Sequence, residues 1–330
     1  MGSTAFVFPG QGSQYIGMGR ALSEISPAAA RVFAEADGAL GERLSDLAWS
    51  GDPSALDRTE NAQPAILATS IAYLRALQET WASRDQEGLV PVFSAGHSMG
   101  QYSALVAAGV IDLGEGIRLV RERGRRMQAS GLGVEGAMAA VIGLDDARLA
   151  ELEATGREHG TFAIANRNSP GQVVVSGERA AVQAAADVAK SLGARRAILL
   201  PVSVAAHSPL MAEAAQGMRA VLEPLTFRDP TAPLLANADA HLLTTGEACR
   251  GELVDHLTSG VDWVATVRAM VDAGVTTFLE IGPGKVLTGL IKRIEPDVEA
   301  IALDDPSAPG RLDLPEVGSA AAPAEAVPTL

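Results

Sequence analysis

The fold is decided by the stretch AGHSMGQY at residues 95–102. It follows the apolar run LVPVF at 89–93, which predicts a buried strand, and precedes SALVAA at 103–108, which predicts a helix. Residues 96–100 match the pattern Gly-x-Ser-x-Gly, in which a serine occupies a tight turn between strand and helix. Glycines on both sides leave room for neighbouring backbone, and the following helix directs its N-terminus at the serine. We therefore predict that Ser98 is a nucleophile; the alternative is a glycine-rich turn with a solvated serine.

Composition limits the class of protein. The chain has 330 residues, of which 47% are hydrophobic and 20% charged, so we expect a globular protein with one large domain or two smaller ones. No apolar run approaches about 20 residues, so we expect no membrane span or membrane partner. A net charge of −14 argues against nucleic acid as a partner. The single cysteine, Cys249, favours a cytoplasmic location, and its polar neighbours suggest no role for it.

A second glycine-rich loop follows the first predicted strand. Residues 4–8 predict that strand, and PGQGSQ at 9–14 predicts a loop whose amides suit an anion or an oxyanion. Tyr15 stands where a dinucleotide-binding pattern has its third glycine, so the hypothesis of a dinucleotide-binding loop is weak. Residues 20–88 are mostly helical in pattern. Among them Pro64 is expected to begin a helix, with Gln63 directly before it.

A helix predicted over residues 112–128 carries an arginine on its apolar face. At about 100° per residue, Arg123 falls between Leu119 and Met127. A guanidinium that faces inward is costly unless it is paired. No acidic residue lies three or four positions from Arg123 on this helix. Its partner is therefore either a distant acid, in a structural ion pair, or the carboxylate of a ligand.

Residues 137–203 predict a separate unit with the order strand-helix-strand-strand-helix-strand, which is the ferredoxin-like arrangement. In it, 162–165 is a strand and 168–171 a turn. The strand–helix pattern resumes afterwards, so the unit is inserted in a larger α/β domain. We predict a large domain at 1–130 and 204–305 and a small domain at 131–203. A tail at 306–330, rich in proline, alanine and acids, is expected to be disordered.

A histidine is needed if Ser98 is to be activated by a base. His207 follows the last strand of the insert, at the junction of the two predicted domains, and is the preferred candidate. His97 adjoins the serine, but the turn is expected to direct its side chain away. Three others occur in polar, surface-like contexts: His159, His241 and His256. The alternative for His207 is a structural, buried or capping role.

Several motifs occur together in one order: FPGQGSQ at 8–14, GHSMG at 96–100, RG at 123–124, NRNSPGQ at 166–172, VSVAAH at 202–207 and EIGPGKVL at 280–287. As a set they resemble the malonyl-CoA:acyl carrier protein transacylase family over about residues 4–303. The resemblance implies an α/β-hydrolase-like large domain with an inserted ferredoxin-like small domain. It also implies an acyltransferase of fatty acid biosynthesis, which moves malonyl from malonyl-CoA to acyl carrier protein through an acyl-serine.

The resemblance implies a role for each matching residue. Ser98 is expected to be the nucleophile and His207 its general base and acid. The backbone amides of Gln11 and Met99 are expected to form the oxyanion hole, and Arg123 to bind the malonyl carboxylate. Three amide side chains are expected to line the same cleft: Gln63, Asn166 and Asn168. No cofactor or metal is implied, since malonyl-CoA is a substrate.

Other positions refine this expectation. Gln101 stands where the family often has glutamate, so a charge is lost near the site. In the family a backbone carbonyl near residues 261–263 orients the histidine in place of a triad acid, and the backbone of Asp262 could supply it. The similar acyltransferases of modular synthases that choose methylmalonyl often have glutamine after the serine and a Tyr-Ala-Ser-His run. This chain has Met99 and the run VAAH at 204–207, so the resemblance favours malonyl.

An acidic carrier protein needs a local basic patch on this acidic chain. The candidates are Lys190, Arg195, Arg196, Lys285, Lys292 and Arg293, which are otherwise ordinary solvated charges.

Three alternative functions remain open at this point. A serine esterase or thioesterase shares the serine turn, but it needs an acid–histidine pair and accepts neutral acyl groups. A trans-acting acyltransferase of a polyketide synthase shares the chemistry and differs in its carrier. A non-catalytic carrier-binding module has no need of Ser98, His207 and Arg123 together.

Overall fold

The computed structural model describes residues 3–130, 135–202 and 204–311. It is a mixed α/β structure with two sheets. The strands are β1 (Ser3–Phe8), β2 (Phe93–Gly96), β3 (Gly136–Ile142), β4 (Phe162–Ser169), β5 (Gln172–Glu178), β6 (Arg196–Leu199), β7 (Leu234–Leu235), β8 (Leu242–Leu243), β9 (Val261–Asp262), β10 (Val275–Ile281) and β11 (Glu299–Leu303).

Helices account for much of the remaining described chain. They are α1 (Arg20–Ile25), α2 (Pro27–Leu40), α3 (Leu44–Ser50), α4 (Pro53–Asp57), α5 (Thr59–Ser83), α6 (Gly100–Ala107), α7 (Leu113–Ser130), α8 (Leu149–Glu158), α9 (Arg179–Ala189), α10 (Ala212–Leu222), α11 (Gly246–Ser259), α12 (Trp263–Asp272), α13 (Val286–Ile294) and α14 (Ala308–Arg311). Within the described ranges, none of these helices has the length and apolar character needed to cross a membrane.

The first sheet has the strand order β11-β10-β1-β2-β7-β8 and is parallel except for β8, which runs antiparallel to β7. Successive side chains of a strand point to opposite faces. Ala5 and Val7 of β1 share a core with α12 and α13, whereas Phe6 and Phe8 share the core formed with α2, α5 and α6. Helices therefore cover both faces of this sheet, which explains why its central strand is apolar throughout.

The second sheet has the order β6-β3-β5-β4-β9 and is antiparallel except where β4 runs parallel to β9. Its elements from β3 to β6 are consecutive in the chain, with first-sheet strands before and after them. β9 comes from the later part of the chain and pairs Val261 with Asn166. This pairing joins the second sheet to the segment that leads into α12.

The two faces of the second sheet have different neighbours. Ala139 and Val141 of β3 belong to the core formed with α8 and α9, whereas Met138 belongs to a small apolar cluster with Val174. Met138 and Val174 also line a cavity. Alternation along each strand thus gives this sheet one face for its helices and one face for the cavity.

The turn around Ser98 is packed too tightly for side chains on its glycines. A Cβ on Gly96 would lie 1.9 Å from the carbonyl carbon of Gly100, and a Cβ on Gly100 would lie 2.2 Å from the carbonyl oxygen of Phe8. Phe8 and Gly96 are partners where β1 pairs with β2. The steric role predicted for the two glycines is confirmed.

The strand before Ser98 is shorter than predicted and lies later in the chain. It runs from Phe93 to Gly96, and Val90 and Val92 of the predicted strand are 72% and 40% exposed. Pro91 has no N–H with which to extend the pairing towards the N-terminus.

Pro64 lies inside α5 rather than at its start. The helix begins at Thr59, and Glu60 supplies an acidic side chain in its first turn. At this position the missing N–H of Pro64 leaves only the carbonyl of Glu60 without its intrahelical partner.

The strand predicted to end at Ala165 continues to Ser169. It pairs with β5 as far as Ser169 and Gln172, and with β9 at Asn166 and Arg167. Asn168, which was predicted to lie in a turn, therefore lies in β4, and so does Asn166. The turn is shorter than predicted because β4 and β5 stay paired up to Ser169 and Gln172, and β9 adds pairing at Asn166 and Arg167.

The predicted disordered tail begins too early. Residues 308–311 form α14, and Arg84 on the loop after α5 donates to the carbonyl of Gly310. Residues 312–330 lie outside the described residues.

Candidate active site

Ser98 and His207 form a hydrogen-bonded pair at the carboxyl end of β2. Both have left-handed backbones, with φ of +52° and +59°, a conformation that is uncommon for non-glycine residues. Ser98 Oγ lies 2.8 Å from His207 Nε2, although the two residues are 109 positions apart. His207 Nδ1 donates to the backbone carbonyl of His256 at 2.7 Å. That bond fixes the tautomer and leaves Nε2 free to accept the Ser98 proton.

His207 is neutral in this environment. Burial, and then the nearby positive charge of Arg123, lower the pKa of His207 to about 3. A general base must be unprotonated before it can accept a proton. The Ser98–His207 pair is therefore ready for proton transfer across the physiological pH range.

The carbonyl that orients His207 belongs to His256 and not to Asp262. The backbone N–H of Asp262 donates to the Asn237 carbonyl at 2.7 Å, and its carbonyl accepts from Thr266 at 3.0 Å. Its carboxylate caps α12 by accepting from the N–H of Ala265 at 2.9 Å. Asp262 is thus occupied in starting α12.

The interpretation of His256 as a surface residue is wrong, because its side chain is completely buried. On α11 it extends a buried stripe that includes Cys249, Leu253 and Leu257. Spacings of three and four residues would have identified this stripe, but the charged residues between its members obscure it.

Cys249 is also buried rather than set in a polar surface, and burial raises the pKa of its thiol to about 12.

Arg123 is buried beside the nucleophile. Its side chain is on the inner face of α7, and the residue is only 1% exposed. Its Nη1 donates to Gln63 Oε1 at 2.9 Å, and its Nη2 lies 3.0 Å from Ser98 Oγ and 3.1 Å from His256 Nε2. All three partners are uncharged. Within residues 3–130, 135–202 and 204–311, Arg123 forms no ion pair with a carboxylate, and its Nε–H has no partner.

A buried cation without a partner of opposite charge lowers the stability of the folded protein. Burial lowers the pKa of Arg123 to about 10, so the guanidinium still carries its charge at physiological pH. Of the two partners considered from sequence, a distant structural acid is not found in the described residues. A ligand carboxylate is the partner that this geometry can accommodate.

Gln63 supports Arg123 and does not line the cavity. It is fully buried on α5, with its Oε1 on Arg123 and its Nε2 3.6 Å from the sulfur of Met127. The expectation that Gln63 lines the cleft is therefore corrected. It lies behind the guanidinium, which separates it from the space in front of Ser98.

A cavity of about 470 Å³ opens in front of Ser98. Arg123 and His207 line it, as do the predicted amide residues Asn166 and Asn168. Asn168 Oδ1 lies 2.9 Å from Nε2 of His97, so the His97 ring contacts β4 at the cavity wall. The apolar part of the wall includes Met127, Met138, Val174, Leu200, Val202, Val204 and Leu290.

The glycine-rich loop after β1 brings Gln11 to this cavity. Gln11 and Met99 both line it, and a Cβ on Gly10 would lie 2.4 Å from the carbonyl oxygen of His97. The loop and the serine turn are therefore in direct backbone contact. The backbone N–H groups of Gln11 and Met99 donate to no residue that the structure describes. Two amides without acceptors beside a nucleophile can stabilise an oxyanion.

A hydrogen-bonded chain that sequence patterns did not indicate supports the serine turn. The backbone N–H of Ser98 donates to Asn237 Oδ1 at 2.8 Å, and the N–H of Asn237 donates to Glu252 Oε1 at 2.7 Å. Burial raises the pKa of Glu252 to about 7. Asn237 and Glu252 thus anchor the strained turn to the segment that follows β7.

Gln101 provides a second anchor for the same turn. Its Oε1 accepts from the N–H of Gly96 and its Nε2 donates to the carbonyl of Leu235, each at 3.0 Å. The residue is completely buried. An amide can donate and accept at once, whereas a carboxylate would face the Leu235 carbonyl without a proton to donate. This pairing accounts for glutamine at position 101.

Comparisons with known proteins show the family to which this chain is related. A family model described as an acyl transferase domain matches residues 5–302. The malonyl CoA-acyl carrier protein transacylase of Bacillus subtilis (strain 168) is 44% identical over 307 residues, which cover 93% of this chain and 95% of that protein. The crystal structure of an acyl-carrier-protein-S-malonyltransferase from Bartonella henselae matches with a TM-score of 0.87 and 44% identity, over 92% of this chain and 96% of that one.

A further solved structure contains a type II PKS acyl-carrier protein in complex with its malonyl-transacylase. It matches with a TM-score of 0.85 and 42% identity, over 92% of this chain and 96% of that one. Because the family model and these relatives extend over almost the whole chain, the chain belongs to the acyl transferase family, among the malonyl CoA-acyl carrier protein transacylases.

Proposed function

We propose that the chain is an enzyme that transfers a malonyl group from malonyl-CoA to the phosphopantetheine thiol of an acyl carrier protein. One observation carries this proposal: Arg123 is buried, has no carboxylate partner in the described residues and lies 3.0 Å from Ser98 Oγ. A malonyl group is a short acyl chain that ends in a carboxylate. It therefore presents a carbonyl to Ser98 and a negative charge to Arg123. The names of the similar proteins support the same activity.

The first half of the reaction acylates the enzyme. Ser98 Oγ attacks the thioester carbonyl carbon, and His207 Nε2 takes the hydroxyl proton. The resulting oxyanion is stabilised by the amides of Gln11 and Met99. When the intermediate collapses, the C–S bond breaks, and CoA leaves with the proton from His207. The product is malonyl-Ser98, with its carboxylate on Arg123.

The second half of the reaction reverses these steps with a new thiol. The phosphopantetheine sulfur attacks the ester carbonyl, and its proton passes to His207 Nε2. The C–O bond to Ser98 then breaks, and His207 returns the proton to Ser98 Oγ. Transfer of the acyl group to water would hydrolyse the intermediate. Part of the cavity wall, formed by Met138, Val174 and their neighbours, is apolar. An apolar wall disfavours water and so favours attack by the thiol.

We also propose the finer description of the fold. The large domain, at 1–130 and 204–305, is α/β-hydrolase-like, and the small domain, at 131–203, is ferredoxin-like. The parallel first sheet, with a serine turn after β2, supports the former. The spatial order β6-β3-β5-β4, in a unit with the chain order strand-helix-strand-strand-helix-strand, supports the latter.

Intact mass spectrometry tests the acyl-enzyme directly. On mixing with malonyl-CoA, we expect wild-type protein to gain one malonyl group, and on addition of carrier protein we expect to see that group lost. Acetyl-CoA should give less adduct, because an acetyl group has no carboxylate for Arg123. Methylmalonyl-CoA keeps the carboxylate but adds a methyl group, and it should give less adduct because Met99 and the run VAAH at 204–207 favour malonyl. The Ser98→Ala variant is the control and should gain nothing. Failure of the wild type to acylate would contradict the proposal and favour a carrier-binding module.

A serine esterase fits this site less well. Such an enzyme has an acid on the orienting nitrogen of its histidine and a pocket for neutral acyl groups. Here His207 Nδ1 meets the carbonyl of His256, and the pocket contains the charge of Arg123.

A trans-acting acyltransferase of a polyketide synthase is the second candidate. One similar structure is a malonyl-transacylase bound to a type II PKS carrier. The KM values for a fatty acid carrier and a polyketide carrier, measured side by side, distinguish the two.

Basic residues at one end of the second sheet support a carrier-binding role. Arg196 of β6 pairs with Ile142 of β3, and Ile142 pairs in turn with Gln172 of β5. The side chain of Gln172 accepts a hydrogen bond from Arg293 at 2.8 Å. The six candidates of the predicted patch are exposed. None of the six forms an ion pair within the part of the chain that the structure describes. Lys285 directly precedes Val286, which lines the cavity.

Charge reversal at Lys285 and Lys292 together is expected to raise the KM for carrier protein about tenfold, since two attractive contacts become repulsive. The KM for malonyl-CoA should not change. Arg148→Glu with Arg157→Glu is the matched control with the same change in net charge. Arg148 directly precedes α8 and Arg157 lies on it, and α8 packs on the face of the second sheet opposite the cavity. An unchanged carrier KM in the Lys285/Lys292 variant would rule out this surface.

A further inference from the structure

We propose that the imidazole ring of His256 positions Arg123 for the substrate carboxylate. Residue 256 then holds two parts of the site: its backbone orients the base His207, and its ring orients the arginine. This inference rests on the proposed function of Ser98 and Arg123 in malonyl transfer. It concerns a side chain to which neither the sequence motifs nor the family resemblance assigned a role.

The hydrogen bonds of the ring determine which nitrogen faces Arg123. His256 Nδ1 lies 2.9 Å from the backbone carbonyl of Glu252, one turn earlier in α11. A carbonyl only accepts, so Nδ1 carries the proton. The lone pair is therefore on Nε2, which lies 3.1 Å from Arg123 Nη2. The helix backbone thus presents an acceptor, and not a donor, to the guanidinium.

The two terminal nitrogens of Arg123 are held by separate acceptors. Gln63 Oε1 accepts from Nη1, and His256 Nε2 accepts from Nη2. Nη2 also donates to Ser98 Oγ, but that oxygen becomes an ester oxygen when Ser98 is acylated. Gln63 and His256 are therefore the partners that remain available throughout the reaction cycle. Together they fix the plane of the guanidinium, which is what two-pronged binding of a carboxylate requires.

The surroundings of the ring keep this contact dry and neutral. His256 is fully buried, and the ring of Tyr102 lies edge-on to it, with centroids 6.4 Å apart. The same Tyr102 ring lies 5.9 Å from Cζ of Arg123. Burial, and then the charge of Arg123, hold the pKa of His256 well below its usual value. A protonated ring would lose the acceptor and place two cations in contact.

Two substitutions separate the acceptor from the bulk of the ring. His256→Phe removes the acceptor and keeps a ring of similar size, whereas His256→Gln keeps a side-chain oxygen that can accept from Arg123. Both retain the backbone carbonyl that orients His207. Acylation rates with malonyl-CoA and acetyl-CoA give the selectivity of each variant. We expect the malonyl-to-acetyl ratio of kcat/KM to fall about 10- to 100-fold in His256→Phe, as for a lost hydrogen bond to a charged group, and to recover in His256→Gln.

The controls separate this inference from the proposed function. Asp255→Ala alters the neighbouring residue on α11, whose side chain is 70% exposed, and should leave the ratio unchanged. Arg123→Ala tests the carboxylate site itself. If Arg123→Ala loses malonyl selectivity and His256→Phe does not, the inference is wrong and the proposed function stands. Equal losses with both substrates in His256→Phe also overturn it, since they indicate damage to the Ser98–His207 pair.

Nitrogen-15 NMR of the histidine rings tests the inference on the wild-type protein, whether or not His256→Phe folds. At pH 7 we expect His256 to give the signals of a neutral ring protonated on Nδ1. Its Nε2 signal should shift in Arg123→Lys, because that substitution changes the donor. A ring protonated on Nε2, or on both nitrogens, would overturn the assignment of His256 as the acceptor for Arg123.

Discussion

Replacing His207 with alanine is expected to slow malonyl transfer about 10²- to 10⁴-fold, the range found when a general base is removed. Ser98 Oγ has His207 Nε2 as its proton acceptor at 2.8 Å. Without that acceptor the hydroxyl must lose its proton to water during attack. Binding of malonyl-CoA should be much less affected, because Arg123 remains in place. The measurement is the single-turnover rate of adduct formation at saturating malonyl-CoA.

His159→Ala is the matched histidine control, since His159 is exposed at the end of α8 and its ring forms a hydrogen bond with the carbonyl of Thr155. Its rate should equal that of the wild type. A His207→Ala variant that acylates within a few-fold of the wild-type rate would show that another group accepts the Ser98 proton.

The pH profile provides a second readout of the same assignment. The pKa of His207 is lowered from 6.5 to about 3, mainly by burial. A base with a lowered pKa stays unprotonated as the pH falls, so the acylation rate should stay level through pH 6.5 and decline only towards about 3. A decline centred near 6.5 would mean that His207 is as accessible to protons as a histidine in water.

Arg123→Ala is expected to lower kcat/KM for malonyl-CoA about 10²- to 10³-fold, while acetyl-CoA loses far less. The loss of one member of a buried charge pair costs about 3–4 kcal/mol, because the other charge is left unpaired. In the variant that charge is the substrate carboxylate. An acetyl group has no such charge and loses only the contact between Arg123 and Ser98.

Arg121→Ala is the control for this prediction. Arg121 is a second largely buried arginine on α7, but it pairs with Glu42 and Asn61 away from Ser98. Its loss should lower the melting temperature and leave the malonyl-to-acetyl ratio intact. Equal losses of malonyl and acetyl transfer in Arg123→Ala would refute the carboxylate-binding role and revive the esterase alternative.

Much of the fold could be predicted because its signals are local. The glycines around Ser98 are required by contacts within one strand-turn-helix unit, and the apolar face of α7 is visible in its own periodicity. The end of β4 was predicted too early because it depends on contacts that are not local. Asn166 continues the strand because Val261, far along the chain, pairs with it. The start of α5 was placed late because Pro64 outweighed the signal of Thr59 and Glu60.

In the candidate site too, features with local signals could be predicted and features that depend on distant contacts could not. Arg123 was identified as an inward-facing cation from its own helix, but the helix could not indicate what it contacts. His256 was excluded because charged neighbours on α11 obscure its buried stripe. The cavity-facing position assumed for Gln63 was wrong, since its place behind Arg123 depends on how α5 packs against α7.

The sequence by itself determined the nucleophile candidate, the inward arginine, the preferred histidine and the order of the two units. The nucleophile and the arginine depend on steric or periodic constraints within about 20 neighbouring residues. The order of the units and the preference for His207 depend on the succession of predicted strands and helices along the chain. Only the tertiary structure decided which carbonyl orients His207, what holds Arg123, and how the serine turn is anchored through Asn237. These contacts join residues 49, 133 and 139 positions apart. Hydrogen bonds at such separations depend on how whole helices and strands pack, and no local pattern records that packing.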